Sequence, residues 1–90
     1  MVIKMFDKEW EVKNPTYKEK RELWKLNSLA FSGNDINQEE YFDLLERVEQ
    51  IAGLNHKDYK DSKGEDLGMA QIDALLQQIF LHYLGLSKKE

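Results

Sequence analysis

The segment "NQEEYFDLLERVEQIAGL", residues 37–54, predicts one complete amphipathic helix with its own start and stop signals. Its apolar residues recur at helical spacing and form one narrow stripe, whereas charged side chains cover the opposite side. Asn37 is a good N-cap, and Glu40 stands where it would complete a capping box. Gly53 supplies a left-handed stop, and the leucine after it suits a Schellman motif. The sequence therefore predicts a surface helix with one buried face over about residues 38–52.

The turn before this helix resembles the back half of a calcium-binding EF-hand loop, which ends in a bidentate Glu at position 12. Aligning Ile36 with position 8 places Glu40 at position 12. Positions 1, 3 and 5 then fall on Leu29, Phe31 and Gly33, whose side chains offer no oxygen to a hard cation. We therefore expect no metal site here. Instead, Gly33 ends a first helix and Ile36 forms a hydrophobic staple at the start of the second.

The segment "NPTYKEKRELWKLNSLAF", residues 14–31, predicts that first helix and offers two capping options. Either Asn14 caps with proline at the first helical position, or Thr16 caps with Glu19 at capping-box spacing. At 100° per residue, the helix shows apolar residues on two sides. An aromatic line is formed by Tyr17, Trp24 and Phe31, and an aliphatic line about 120° away by Leu23, Leu26 and Ala30.

The segment "GMAQIDALLQQIFLHYL", residues 68–84, predicts a third helix with a broad apolar face. Its back face carries no charge, although a surface helix normally shows Lys and Glu there. Either the third helix is central, covered by the first helix and the N-terminal segment, or the uncharged face meets another molecule. The predicted partner-binding residues are those of the uncharged face and the tryptophan of the aromatic line: Ala70, Ala74, Gln77, Gln78, Leu81 and Trp24.

The N-terminal residues 1–13, "MVIKMFDKEWEVK", are rich in strand-forming residues but lack clear alternation. Residues 6–9 contain neither Gly nor Asn and make a poor hairpin turn. We therefore expect an extended arm, with room for one short strand, that packs on the helical body or on a partner. A three-helix domain follows over residues 14–90. The predicted fold class is all-α: a small three-helix domain with an extended N-terminal arm.

The composition excludes several classes of function. The chain of 90 residues has no cysteine, which excludes disulfides and thiolate metal sites. Its net charge of −4 disfavours non-specific binding to nucleic acid or to anionic membranes. The apolar stretch 67–86 contains Asp73, three glutamines and His82, so we expect no membrane span.

Catalytic and nucleic-acid-binding patterns are also missing from the sequence. There is no glycine-rich phosphate loop, no serine in a nucleophile elbow, and no metal-ligand template around His56. We therefore expect no enzyme and no cofactor. The first helix is basic and the second acidic, which we interpret as attraction between adjacent helices, since a DNA-reading helix needs a denser basic face.

Three segments, "NPTYKEKRELWKLNSLAF", "NQEEYFDLLERVEQIAGL" and "MAQIDALLQQIFLHYLGL", resemble the small helical tail assembly chaperones of tailed bacteriophages, including those linked to the baseplate hub. The likeness covers roughly residues 10–86 and consists of helix signatures without a catalytic motif. It implies a non-enzymatic factor in the host cell cytoplasm that keeps a larger tail or baseplate protein soluble until assembly.

Two other functions stay open, of which the first uses the same surfaces. A structural component of the virion would hold its neighbours permanently, and a host-targeting regulatory protein would use the acidic second helix as a decoy. A homodimer through the third helix is compatible with the uncharged face.

Overall fold

Three helices and a short hairpin are the elements of the computed structural model, which describes residues 1–31 and 37–85. The predicted small three-helix domain is confirmed. The predicted stop at Gly33 and staple at Ile36 lie outside the described residues. The elements are β1 (Val2–Met5), β2 (Lys8–Glu11), α1 (Tyr17–Ala30), α2 (Gln38–Ala52) and α3 (Met69–Tyr83).

The N-terminal arm contains two strands that pair as an antiparallel hairpin, with Ile3 opposite Trp10. Phe6 and Asp7 form the turn, and both have φ of 56°, the left-handed backbone that two-residue hairpin turns need. The sequence predicted a poor turn and an extended arm with one short strand, whereas the structure has two paired strands here. The hairpin is stabilised by burial of Ile3 and Trp10 and by the Trp10 indole N–H, which donates to the Met5 carbonyl at 3.0 Å.

The hairpin packs on the helices. Ile3, Trp10 and Val12 are buried in the same hydrophobic cluster as the apolar faces of the three helices. The chain that follows is tied down at Lys13, whose N–H donates to the carbonyl of Ala52 at 3.2 Å. The first thirteen residues therefore contribute to the core of the molecule.

Side-chain caps begin α1 and α2, but only α1 has a complete capping box. Thr16 Oγ1 accepts from the Glu19 N–H at 3.1 Å, and Glu19 Oε1 accepts from the Thr16 N–H at 2.8 Å, so the second predicted option is the one used. Asn37 Oδ1 accepts from the Glu40 N–H at 3.2 Å. The Asn37 N–H instead donates to the carbonyl of Ala30 at 2.7 Å, so the predicted return bond from Glu40 does not form.

The end of α2 follows the prediction. Gly53 has φ of 80°, and its N–H donates to the carbonyl of Gln50 while the N–H of Leu54 donates to that of Glu49. These two bonds are the Schellman pair.

Helix α2 is the middle helix of the three. It packs against both α1 and α3, which have little direct contact with each other. One predicted reason for the uncharged face of α3 was that the first helix covers it. That prediction was therefore wrong. The middle position is reflected in the buried residues of α2, which are Leu44, Leu45, Val48, Ile51 and Ala52.

The polar segment between α2 and α3 is anchored by one buried aromatic residue. Tyr59 is 4% exposed, and its hydroxyl donates to the carboxylate of Glu49 on α2. Burial and this hydrogen bond raise the pKa of Tyr59. Leu67 donates its N–H to the Tyr59 carbonyl at 3.0 Å, and Lys60 pairs with Asp66 at 2.7 Å.

Candidate protein-binding surface

An exposed line of aromatic side chains runs along α1. Tyr17 is 77% exposed, Trp24 49% and Phe31 44%, whereas Leu23 and Ala30 on the other side are fully buried. At 1.5 Å per residue the line is about 21 Å long. The sequence predicted apolar residues on two sides of this helix and a partner-binding role for Trp24. Because α1 uses its aliphatic line for the core, the aromatic line faces outward.

The line ends in a small cleft between the end of α1, the first turns of α2 and the middle of α3. The ring of Phe31 meets that of Tyr41 edge to face, with 5.8 Å between centroids, and Tyr41 lies 6.2 Å from Phe42. Phe42 is 55% exposed. We call this the aromatic cleft; its volume is about 320 Å³ and it is lined by Phe31, Gln38, Tyr41, Phe42 and Gln77.

The interior side of the aromatic cleft holds a neutral phenol. Burial raises the pKa of Tyr41, and the nearby Asp73 carboxylate raises it further. The Tyr41 phenol is therefore uncharged over the whole neutral range. Aromatic rings with glutamine amides at the rim suit apolar side chains and backbone amides of a bound polypeptide.

The structure places the predicted partner-binding residues in different surroundings. Gln77 lines the aromatic cleft, whereas Ala70 is exposed at the start of α3. Ala74 and Gln78 are half-buried, and Leu81 is half-buried against the core cluster.

Trp24 lines a second cleft, of about 710 Å³, together with four cationic side chains. We call this the basic cleft; its other lining residues are Lys18, Arg21, Glu22, Lys25 and Arg47. The predicted six residues therefore do not form a single surface.

Phe42 and Tyr41 were not predicted as binding residues. Phe42 is the one large apolar residue that stands off the stripe of α2, and this departure from the pattern is the signal that identifies it. The role of Tyr41 has no such signal, because it lies on the stripe and its contact with Phe31 depends on how α1 and α2 pack.

An ion pair crosses between α1 and α2 at the edge of the basic cleft. The guanidinium of Arg47 donates two hydrogen bonds to the carboxylate of Glu22, from Nε to Oε2 at 3.1 Å and from Nη2 to Oε1 at 3.0 Å. The hydrogen bond to Glu22 raises the pKa of Arg47. We predicted that basic residues of the first helix attract acidic residues of the second. In this ion pair the carboxylate lies on α1 and the guanidinium on α2, so the charges are the other way round.

The described ranges, 1–31 and 37–85, contain no cluster of three or more His, Asp or Glu side chains placed to hold a metal ion. Over the same residues, none of the helices has the length and apolar character needed to span a membrane. Comparison of the chain with protein-family models, with curated proteins and with solved structures yields no match.

Proposed function

We propose that this protein is a non-enzymatic binding factor that holds a segment of a larger protein along α1 and in the aromatic cleft. The observation that carries the proposal is the exposed line of Tyr17, Trp24 and Phe31, which continues into Phe42. Aromatic side chains are the commonest anchors of protein interfaces, and adjoining exposed apolar residues mark interaction sites. The core accounts for the opposite side of α1, whereas Tyr17 and Trp24 are exposed and Phe31 keeps a ring contact with Tyr41 at the end of the line.

The partner that we propose is a tail or baseplate protein of a bacteriophage, and the role is that of an assembly chaperone in the host cell cytoplasm. The resemblance of the three helical segments to phage tail assembly chaperones supports this choice. A small domain with an outward aromatic line suits that role, since it can cover an apolar segment of a subunit until assembly buries it.

The test is affinity capture of the tagged chain from cells infected with the phage that encodes it, with mass spectrometry of the eluate. We expect the wild-type chain to capture a tail or baseplate protein. Trp24→Ser and Phe42→Ser should each lower the captured amount at least tenfold, as loss of a hot-spot side chain does. Met69→Ser is the control, because Met69 is a large apolar residue that is 72% exposed but lies outside the surface.

Mass spectrometry of purified virions separates a chaperone from a structural part. A chaperone is captured with its partner but is missing from virions, whereas a structural component is present in them. Equal capture by the wild-type chain and both aromatic variants would contradict the proposed surface. A host enzyme as the captured protein would contradict the proposed role.

A further inference from the structure

Basic side chains flank the aromatic line on α1. By helical geometry, Lys20 lies on one side of the line, and Lys18, Arg21 and Lys25 lie on the other. All four are exposed, and three of them line the basic cleft with Trp24. The outward arc of α1 thus combines aromatic rings with four positive charges, in a chain whose net charge is −4.

The two carboxylates of α1 are engaged elsewhere. Glu19 closes the capping box by accepting from the Thr16 N–H at 2.8 Å. Glu22 is held by the guanidinium of Arg47. Among the residues that the structure describes, the ion pairs are Glu22 with Arg47 and Lys60 with Asp66, so the four cations of the arc have no carboxylate partner there.

We infer that the segment bound along α1 is acidic as well as apolar, with a row of apolar side chains over the aromatic line and carboxylates facing Lys18, Arg21 and Lys25. This inference rests on the proposed function and specifies the chemistry of its partner. A segment that covers Trp24 also covers the lysine stems beside it and removes water from their charges. Carboxylates compensate that loss, whereas a neutral or basic segment leaves the cations without a partner and is rejected.

The surface also gives the bound segment a direction. The Phe31 end of the line touches Tyr41, in the first turns of α2, where Glu39 and Glu40 lie. Carboxylates of the partner are therefore favoured beside Lys18 and Lys25 but disfavoured at the aromatic cleft. The same arrangement argues against single-stranded nucleic acid, which also uses aromatic rings and cations but carries negative charge along its whole length.

The test is isothermal titration calorimetry at low salt with three synthetic helical peptides of equal length. One has a leucine row flanked by Glu, one has the same row flanked by Lys, and one has Glu flanks with serine in place of leucine. We expect the Glu–Leu peptide to bind about tenfold more tightly than the Lys–Leu peptide, which corresponds to three exposed charge pairs of modest strength. The serine peptide should bind more weakly than the Glu–Leu peptide, because it lacks the apolar row.

A charge-reversed variant tests the location. Lys18→Glu, Arg21→Glu and Lys25→Glu together should reverse the preference, so that the Lys–Leu peptide binds better. The matched control reverses three exposed lysines away from α1, namely Lys4, Lys57 and Lys63, and changes the net charge equally. The control variant should keep the preference of the wild-type chain.

Several results would overturn the inference. These are equal binding of the two leucine peptides, no binding of the Glu–Leu peptide at 1 mM, or tighter binding of an oligothymidylate of similar length. A wild-type dimer that the α1 reversal dissociates would mean that a second copy occupies the surface. The proposed function fails separately, when capture finds no tail protein or when Trp24→Ser leaves that capture unchanged.

Discussion

The hydroxyl of Tyr83 links the last helix to the N-terminal part of the chain by one hydrogen bond. It donates to the carbonyl of Lys13 at 2.6 Å and so ties α3 to the segment that follows the hairpin. Burial raises the pKa of Tyr83 to about 12, and the charge of Glu19 adds to this effect. The phenol is therefore protonated in the folded protein at pH values where an exposed tyrosine ionises.

This pKa shift predicts a loss of stability at alkaline pH. Between pH 10 and 12 the unfolded chain loses a proton from Tyr83 that the folded chain retains, so the free energy of unfolding falls as the pH rises through that window. Below pH 10 the contribution is fully present. We expect Tyr83→Phe to cost about 1 kcal/mol at pH 8 and to make the decline above pH 10 shallower, as measured by urea unfolding across that range.

The control for this prediction is Tyr17→Phe, which removes the hydroxyl of an exposed tyrosine. It should leave the stability at pH 8 unchanged, because Tyr17 is exposed. An alkaline slope in Tyr83→Phe as steep as in the wild-type chain would contradict the assignment. Some decline persists in either case, because burial also raises the pKa of Tyr59.

Among the elements, the hairpin has a turn whose backbone conformation is unfavourable for the residues that form it. The turn residues Phe6 and Asp7 both have φ of 56°, a conformation that residues with a Cβ adopt at a cost. Phe6 is half-buried against the core cluster, so its side chain contributes packing, whereas Asp7 is exposed. Asp7 is thus the position at which the turn can be improved.

We predict that Asp7→Gly stabilises the protein by about 0.5–1 kcal/mol, because glycine adopts this backbone without steric cost. The measurement is the midpoint of urea unfolding at pH 7. Asp7→Ala removes the same carboxylate without the conformational freedom and serves as the control. A gain in Asp7→Ala as large as in Asp7→Gly would show that charge, and not backbone strain, is responsible.

The helices and the hairpin differ in how far sequence predicts them. The bounds of α2 follow from Asn37, Gly53 and an apolar stripe, all of which act within a few residues of chain. The hairpin has no such local signal. Its turn is held by the burial of Ile3 and Trp10 against helices far along the sequence, so turn chemistry alone gave the wrong answer.

At the scale of the whole molecule, the hairpin and helices share one hydrophobic cluster, and Trp10 is its largest contribution from the hairpin. The indole is 3% exposed, and the Lys8 ammonium lies 4.2 Å from its ring centroid. A small domain has a free energy of unfolding of only about 5–15 kcal/mol. The loss of this one side chain therefore affects the whole fold.

We predict that Trp10→Ala lowers the free energy of unfolding by about 3–5 kcal/mol and lowers the melting temperature of the helices along with the hairpin. Thermal unfolding followed by far-ultraviolet circular dichroism measures this. Trp24→Ala is the matched control, and it should shift the transition by only a few degrees because Trp24 is exposed. An unchanged helical transition in Trp10→Ala would mean that the hairpin is an independent appendage.

The candidate surface was only partly predictable from the sequence, because its position depends on the order in which the three helices pack. The uncharged face of α3 is visible in the sequence, and Gln77 from that face does line the aromatic cleft. The aromatic line on α1 is equally visible by its spacing. Whether that line faces the core or solvent depends on which helix is in the middle, and helical periodicity carries no information on that order.

The opposite surroundings of the two tryptophans give the protein two separable optical reporters. The indole of Trp10 is shielded from solvent, whereas that of Trp24 is open to it. A water-soluble quencher such as iodide reaches Trp24 and not Trp10 in the native state. The quenchable part of the emission thus monitors occupation of α1, and the protected part monitors the integrity of the core, in one unlabelled sample.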